Sequence, residues 1–355
     1  MTVAGEVGGY VHIPFCAARC DYCAFATWTD RDHLIEGYLG ALRTEISQAV
    51  AAGLPALTSV FFGGGTPSLV PAGGLMSVLA CLPLAPGAEV TVECNPDTVT
   101  PELVAAYRDG GVTRLSLGVQ SMVPHVLERL GRTHDPANVR RSVELARAAG
   151  FASFNLDLIY GTVGESLADW DSTVREALAL EPPHVSAYGL TVEAGTPLAL
   201  DPARYPDDDD QAAKYELADA LLVEAGLASY EISNWARPGH ECRHNLLYWS
   251  QGDYAGFGCA AHSHRAGRRW WNVHTPDRYI ALVSAGAPVE AAGEELDAET
   301  RRLEGLQLQL RTRTGVPAGA LDASQLPGLV EEQGDRLVLT RAGRLVANEV
   351  ALRLR

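Results

Sequence analysis

Three cysteines crowd one short segment of the chain. Cys16, Cys20 and Cys23 lie within the stretch YVHIPFCAARCDYCAF, whereas Cys81, Cys94, Cys242 and Cys259 are dispersed. Thiolates are soft donors, and a loop with this spacing can turn all three onto one inorganic centre. Tetrahedral zinc would want a fourth protein ligand, while a cubane of iron and sulfide can accept three thiolates and leave one iron open. On spacing alone a zinc loop or three unrelated buried thiols remain alternatives. The isolated cysteines read as small core residues, and an odd total of seven argues against a disulfide framework.

A loop of this kind needs a rigid element to carry it. Short apolar runs at 10–13, 58–62, 89–93, 114–118, 154–158 and 184–190 read as strands. Helical patterns at 32–52, 101–109, 137–149 and 166–180 alternate with them. Alternation implies right-handed crossovers and a parallel sheet whose function gathers at the strands' C-terminal ends. Six units are too few for an eight-fold barrel, so the expected fold is α/β, a partial (βα)6 barrel over residues 1–230. The cysteine loop would follow its first strand directly. The acidic run Asp207 to Asp210 reads as the first turn of a helix through 226, where negative charge suits the helix dipole. Residues 231–295 change to aromatic and Gly-rich short segments, read as a linking extension. Residues 296–355 read as a small winged-helix-like module of helix, helix, a short strand pair around Asp335 to Thr340, and helix.

Composition narrows the function. At 355 residues, 47% hydrophobic and 20% charged, the chain has the make-up of a globular protein with a sizeable core. A net charge of -16 makes nucleic acid and anionic membrane surfaces poor partners. Residues 46–88 contain no charged side chain, yet Gly53, Pro55, Pro67, Pro71, Pro83 and Pro86 break them into pieces well short of the about 20 residues of a membrane span. The opening MTVAGEVGGY shows no export signal, so the expected location is cytoplasmic and the protein is not expected to be integral to a membrane.

At YVHIPFCAARCDYC the chain resembles the radical S-adenosylmethionine (SAM) enzymes, whose C-x-x-x-C-x-x-C loop holds a [4Fe-4S] cluster. FFGGGTPS, TVECNPD, RLSLGVQS, LGRTH, NLDLIYGTVGES and HVSAYGL narrow this to a likeness with the oxygen-independent coproporphyrinogen III oxidase family and its relatives, over residues 10 to about 350. The resemblance implies that Cys16, Cys20 and Cys23 bind the cluster and that SAM chelates its open iron. Gly64, Gly65 and Thr66 would let backbone amides approach the methionyl part, with Tyr10 and Tyr22 flanking. Glu93, Gln120, Arg132 and Asp157 would offer polar contacts at later strand ends, and Gly189 and His262 match cofactor-adjacent positions less closely.

Two departures separate the chain from the oxidases of that family. They carry a fourth cysteine two residues after the third, where this chain has Phe25, and a long extension before the first strand, where this chain has nine residues before Tyr10. The segment NWARPGHECRHNLLYW, with His244, Asn245, Tyr248 and Trp249 in the pattern H-N-x-x-Y-W, resembles instead the haem-chaperone branch. Imidazole is an axial ligand for haem iron, and Tyr and Trp offer flat apolar surface with polar tips. His244 is the preferred haem ligand, with His240, Cys242, His262 and His264 competing, and a local zinc site from His240, Cys242 and His244 is a further alternative. The resemblance thus implies a haem carrier that binds a [4Fe-4S] cluster, SAM and haem. It would pass haem to an acceptor such as a membrane-associated haemoprotein, as a monomer or homodimer. Radical decarboxylation of porphyrinogen propionates is the alternative.

Overall fold

A computed structural model of the chain describes residues 5–355; Met1 to Ala4, part of the segment read for an export signal, lie outside the described residues. The strands run β1 Val7–Ile13, β2 Leu57–Gly64, β3 Leu84–Cys94, β4 Arg114–Gln120, β5 Ser153–Tyr160, β6 His184–Gly189, β7 Ala228–Ser229, β8 Asn234–Ala236, β9 Asp253–Phe257, β10 His262–Arg265, β11 Arg268–Asn272 and β12 Glu290–Glu295. Between them lie α1 Ile35–Ala51, α2 Ala72–Leu79, α3 Pro101–Asp109, α4 Pro124–Arg129, α5 Pro136–Ala148, α6 Leu167–Ala179, α7 Asp208–Glu224, α8 Arg243–Trp249 and α9 Pro276–Ser284.

β1 to β6 pair in sequence order, every neighbour parallel. This is the strand-helix alternation of the sequence made into one sheet. Side chains alternate between its two faces. Val11, Ile13, Val60, Phe62, Val90, Val92, Leu115, Leu117, Leu156 and Val185 are buried in the main hydrophobic core with Tyr38, Leu42 and Ile46 of α1 and Tyr107 of α3. The intervening positions carry Tyr10, His12, Ser59, Glu93, Ser116, Asn155, Asp157, His184 and Ser186, so the other face is polar. A sheet with one face dry and one face polar places its chemistry before any loop is considered.

The sheet also extends at both margins of the six. β8 pairs antiparallel with β6 and β7 with β8, while β9 pairs parallel with β1 and leads to the antiparallel β10, β11 and β12. The segment 231–295 therefore supplies strands to the same twelve-stranded sheet, and β7 and β8, on either side of residue 230, are bonded to each other. Beyond it, α10 Ala298–Leu310, β13 Val316–Pro317, β14 Val330–Gln333, β15 Arg336–Leu339, α11 Arg341–Leu345 and α12 Ala347–Ala351 surround a separate core of Leu310, Val316, Leu321, Leu326, Leu337 and Val350. The second helix expected there is absent. Pro317, Gly319, Pro327 and Gly328 punctuate the segment, and only single 3-10 turns form, at Ala318–Ala320 and Ala323–Gln325.

Helix starts follow their caps. Ser166 accepts from Asp169 N at the start of α6 and Asp135 from Asn138 N at the start of α5, each in a reciprocal capping box. The acidic run does open α7, with Asp207 capping Asp210 N. It has a second role. Asp210 reaches the fully buried Lys214 at 2.6 Å, and Lys214 also lies 3.1 Å from the buried Glu165 and donates to its carbonyl at 2.7 Å. This tie fastens α7 to the loop after β5. Lys214→Met leaves Glu165 buried without its cation and is expected to cost about 3–5 kcal/mol, read as a lower denaturation midpoint; an unchanged midpoint would show that the pair does not hold the two elements.

Candidate functional site

The cysteine loop leaves the C-terminal end of β1 and is closed at its neck by two backbone bonds, Cys16 N to Trp28 O at 3.0 Å and Trp28 N to Pro14 O at 2.8 Å. Phe15 at the neck is fully buried, edge-on to Tyr38 at 5.4 Å. The anchor for this neck comes from the next strand. Gly65 N donates to Ile13 O and Thr66 N to Phe15 O, both at 2.8 Å. A Cβ on Gly65 would meet Phe15 O at 2.6 Å, and Gly64 has φ +109 with a Cβ position 2.4 Å from the His12 ring. The glycines are needed because β1, its loop and β2 touch backbone to backbone.

This differs from the expectation for Gly64, Gly65 and Thr66. Their amides are not free for a ligand: Gly64 N donates to Glu93 Oε2 at 3.2 Å, and the other two hold the loop. The run fixes the loop's root and allows close approach.

Inside the loop, Cys23 N donates to Cys20 O at 3.1 Å, and all three thiols are half-buried and unpaired. Arg132 lies with Nη1 3.5 Å from Cys20 Sγ and donates through Nη2 to Gly118 O at 3.1 Å. Thr66 Oγ1 is 3.7 Å from Cys16 Sγ. Burial pushes the Cys16 and Cys23 thiols up, a cost that bound metal offsets by holding them as thiolates. Among the described residues no three His, Cys, Asp or Glu side chains, the three loop cysteines included, are grouped closely enough to hold one ion. His240, Cys242 and His244 bond separately to Ser153, Glu89 and Ser59. Three soft donors on one tethered loop, one beside a guanidinium, suit a multi-iron cluster.

The polar face of the sheet continues from the loop. Tyr10 OH donates to His12 Nδ1 at 3.1 Å, while His12 Nε2 donates to Ala26 O at 2.8 Å; these partners fix the ring's tautomer. Burial pulls the His12 ring down to about 4, which keeps it neutral. Glu93 is pushed up to about 8, first by burial and then by the Asp157 charge, with the Gly64 N–H opposing. Asp157 accepts from Ser116 Oγ at 2.8 Å and Asn155 Nδ2 at 2.7 Å, and burial raises it also. Gln120 closes β4 at an irregularity in its pairing with β5, in the left-handed region at φ 64; a bulge there re-aims the strand end. Tyr22 packs with Val126, Leu130 and Leu190, and Gly189 ends β6 against Gln211. Tyr10, Glu93, Gln120, Asp157 and Gly189 thus lie on β1, β3, β4, β5 and β6 of one sheet.

The H-N-x-x-Y-W segment forms α8 across the opposite, N-terminal ends of β1 to β3. His244 is fully buried there, with Nδ1 3.0 Å from Ser59 Oγ, Nε2 2.8 Å from Tyr248 OH, and its ring stacked on Phe61 at 5.5 Å. Burial alone pulls it down to about 3. Both nitrogens are occupied, so the geometry does not present His244 as an axial ligand. Asn245 and Trp249 are partly exposed on the same helix. Tyr248 instead reaches a cavity of about 640 Å³ beside the cysteine loop, whose walls include Tyr10, Phe25, Tyr254, His262 and His264. His262 is exposed and stacked on Trp271 at 5.6 Å.

A profile of the radical SAM superfamily matches residues 10–177. The chain is 45% identical over 364 residues to the heme chaperone HemW of Mycobacterium tuberculosis (strain ATCC 25618 / H37Rv), covering 97% of this chain and 93% of that protein. It is 33% identical over 368 residues to the heme chaperone HemW of Bacillus subtilis (strain 168), covering 96% and 97%. The chain belongs to the HemW family. Its fold is also that of coproporphyrinogen III oxidase (HemN) from Escherichia coli, with a TM-score of 0.86 over 98% of this chain and 89% of that one at 22% identity. Membership in the radical SAM superfamily implies a [4Fe-4S] cluster and SAM. When bound, they would supply the means for a one-electron cleavage of a carbon-sulfur bond. Cys16, Cys20 and Cys23 are the residues here that would hold the cluster. No helix among the described residues is long and apolar enough to cross a membrane.

His12, Asn155, Ser116 and His184 belong to this polar face and were not singled out in the sequence. A signal existed for His12, two residues after Tyr10 on one strand and so on the same face. The raised Glu93 sets a pH dependence. Between its ordinary value of 4.5 and about 8 the folded chain holds a proton that the unfolded chain has lost, so stability falls as pH rises through that window. Glu93→Gln keeps an oxygen for Gly64 N–H and is expected to flatten the fall, measured as melting temperature across a pH series; identical slopes would show that Glu93 titrates normally.

Proposed function

We propose that this chain carries haem, taking it up beside its cluster loop and releasing it to an acceptor haemoprotein in the cytoplasm. The observation that carries the reading is the cavity of about 640 Å³ walled by Tyr10, Tyr248, Tyr254 and histidines next to residues 24–26 of the loop. Its size falls within the range of about 300–1,000 Å³ typical of cofactor sites. Aromatic rings and imidazoles are the groups a porphyrin would be met by. The HemW relatives are named heme chaperones, which supports the same cargo.

Phe25 favours carriage over catalysis. Where the resemblance to the oxidases calls for a cysteine, this chain puts an apolar ring 66% exposed at the cavity wall, a surface that a flat apolar cargo would cover. The chain's part in SAM binding would be positional: Tyr10, Tyr22, Gln120, Arg132, Asp157 and Gly189 shape the approach, Glu93 holds the Gly64 amide, and Gly64 to Thr66 hold the loop. The C-terminal module, 296–355, has its own core and would serve as the docking surface for a membrane-associated acceptor, with the chain acting as a monomer or homodimer.

Protein reconstituted without oxygen and given coproporphyrinogen III, a reductant and SAM is expected to form no protoporphyrinogen, while binding haem in a one-to-one complex. Cys20→Ser in the same assay should lose the cluster's absorbance. Turnover of the porphyrinogen that disappears in Cys20→Ser would make the chain an oxidase instead.

A further inference from the structure

α8 ends in a device that serves a neighbouring strand. Its last turn closes with Gln251 N donating to Tyr248 O at 3.0 Å and Gly252 N to Leu247 O at 2.9 Å. Gln251 takes the left-handed conformation, φ 57, that such a helix end usually gives to glycine. A non-glycine residue held there carries strain, and such strain gathers at functional sites. The next carbonyl, Gly252 O, lies 2.9 Å from Nδ1 of His264 on β10, with Asp253 Oδ1 3.7 Å from the same nitrogen.

That contact fixes the tautomer. A carbonyl only accepts, so Nδ1 carries a proton, and the neutral ring has its lone pair on Nε2. The His264 side chain is 4% exposed and lines the cavity, and Nε2 is buried without a hydrogen-bond partner. A buried imidazole whose Nδ1–H is tied to a backbone carbonyl and whose Nε2 is left free has the arrangement of a metal-binding histidine. Gln251 Nε2, in the wall of the same cavity, is likewise buried and unpartnered. Two orphaned polar atoms in one cavity wall point to a ligand with both a metal and an acceptor group.

The other imidazoles of the cavity wall, His12, His262 and the exposed His274, lack this combination, and His134, whose Nε2 is tied to Val119 O and whose Nδ1 is unpartnered, is not part of that wall. His244 has both nitrogens bonded and His12 likewise. His262 is solvent-exposed against Trp271, and among the described residues no hydrogen bond sets its tautomer. Resting on the haem-carrier reading, we infer that Nε2 of His264 is the axial ligand of haem iron in this cavity, and that α8 acts through its C-terminal end, which aims His264, while Tyr248 and the adjacent Tyr254 form the wall. Tyr254 is the register partner of His264 and meets Tyr248 edge-on at 4.6 Å. The H-N-x-x-Y-W helix then contributes to haem binding without its histidine touching iron.

The test uses the full chain titrated with hemin under absorbance and low-temperature electron paramagnetic resonance. The expected result is that His264→Ala weakens haem binding about tenfold or more and loses the histidine-ligand spectrum, that added imidazole restores that spectrum, and that His244→Ala keeps it. A wild-type spectrum in His264→Ala overturns the assignment, as does loss of the spectrum in His244→Ala alone. Should His264→Ala fail to fold, Leu308→Trp decides: it narrows the cavity from α10 with His264 intact and should weaken haem binding by a similar factor, and unchanged affinity overturns the proposal. Wild-type chain that takes up no haem refutes the carrier reading itself, an outcome separate from any pattern among the variants.

Discussion

Two backbone hydrogen bonds, from Gly65 and Thr66 to the carbonyls of Ile13 and Phe15, govern the rest of the site. They stitch the root of the cysteine loop to the end of the neighbouring strand, and only a residue without a side chain fits where Gly65 lies. With the root fixed, the loop can be long enough to turn three thiols inward without losing its aim. β1 is itself held on both sides, by β2 and by β9, both parallel to it. The strand that launches the loop is therefore in the interior of the sheet and has no free edge to fray.

The second constraint is dielectric. The sheet's polar face buries Glu93, Asp157, His12 and His184 in one region, and in each case burial is the largest influence on the titration, favouring the neutral form. Such groups persist because each has its own polar partners: Glu93 takes the Gly64 N–H, His12 bonds to Tyr10 and Ala26, and Asp157 and His184 share Asn155. Asn155 Nδ2 shares its two hydrogens among Ser116, Asp157 and Ser186, and its carbonyl lies 2.7 Å from His184 Nδ1. A rigid, mostly uncharged interior suits a site whose charge is to come from bound metal and sulfonium.

The alternation of short apolar runs with helical patterns made the parallel sheet legible, because strand periodicity and caps are local signals: Ser166, Asp135 and Asp207 all cap as their types suggest. The cysteine loop was legible for the same reason. What escaped was non-local. Nothing in residues 231–295 says that β9 pairs with β1 from more than 240 residues away, and that pairing brings His262 and His264 to the loop. Nor could H-N-x-x-Y-W alone show that His244 would turn its ring onto Ser59 and Phe61 while the end of its helix did the reaching. The motif's chemistry was readable from residue types; its direction was set by tertiary packing.

Residues 24–26 are at once the tail of the cysteine loop and part of the cavity wall. Any coupling between the two compartments would therefore run through these three residues, and by reciprocity it would be equal in both directions.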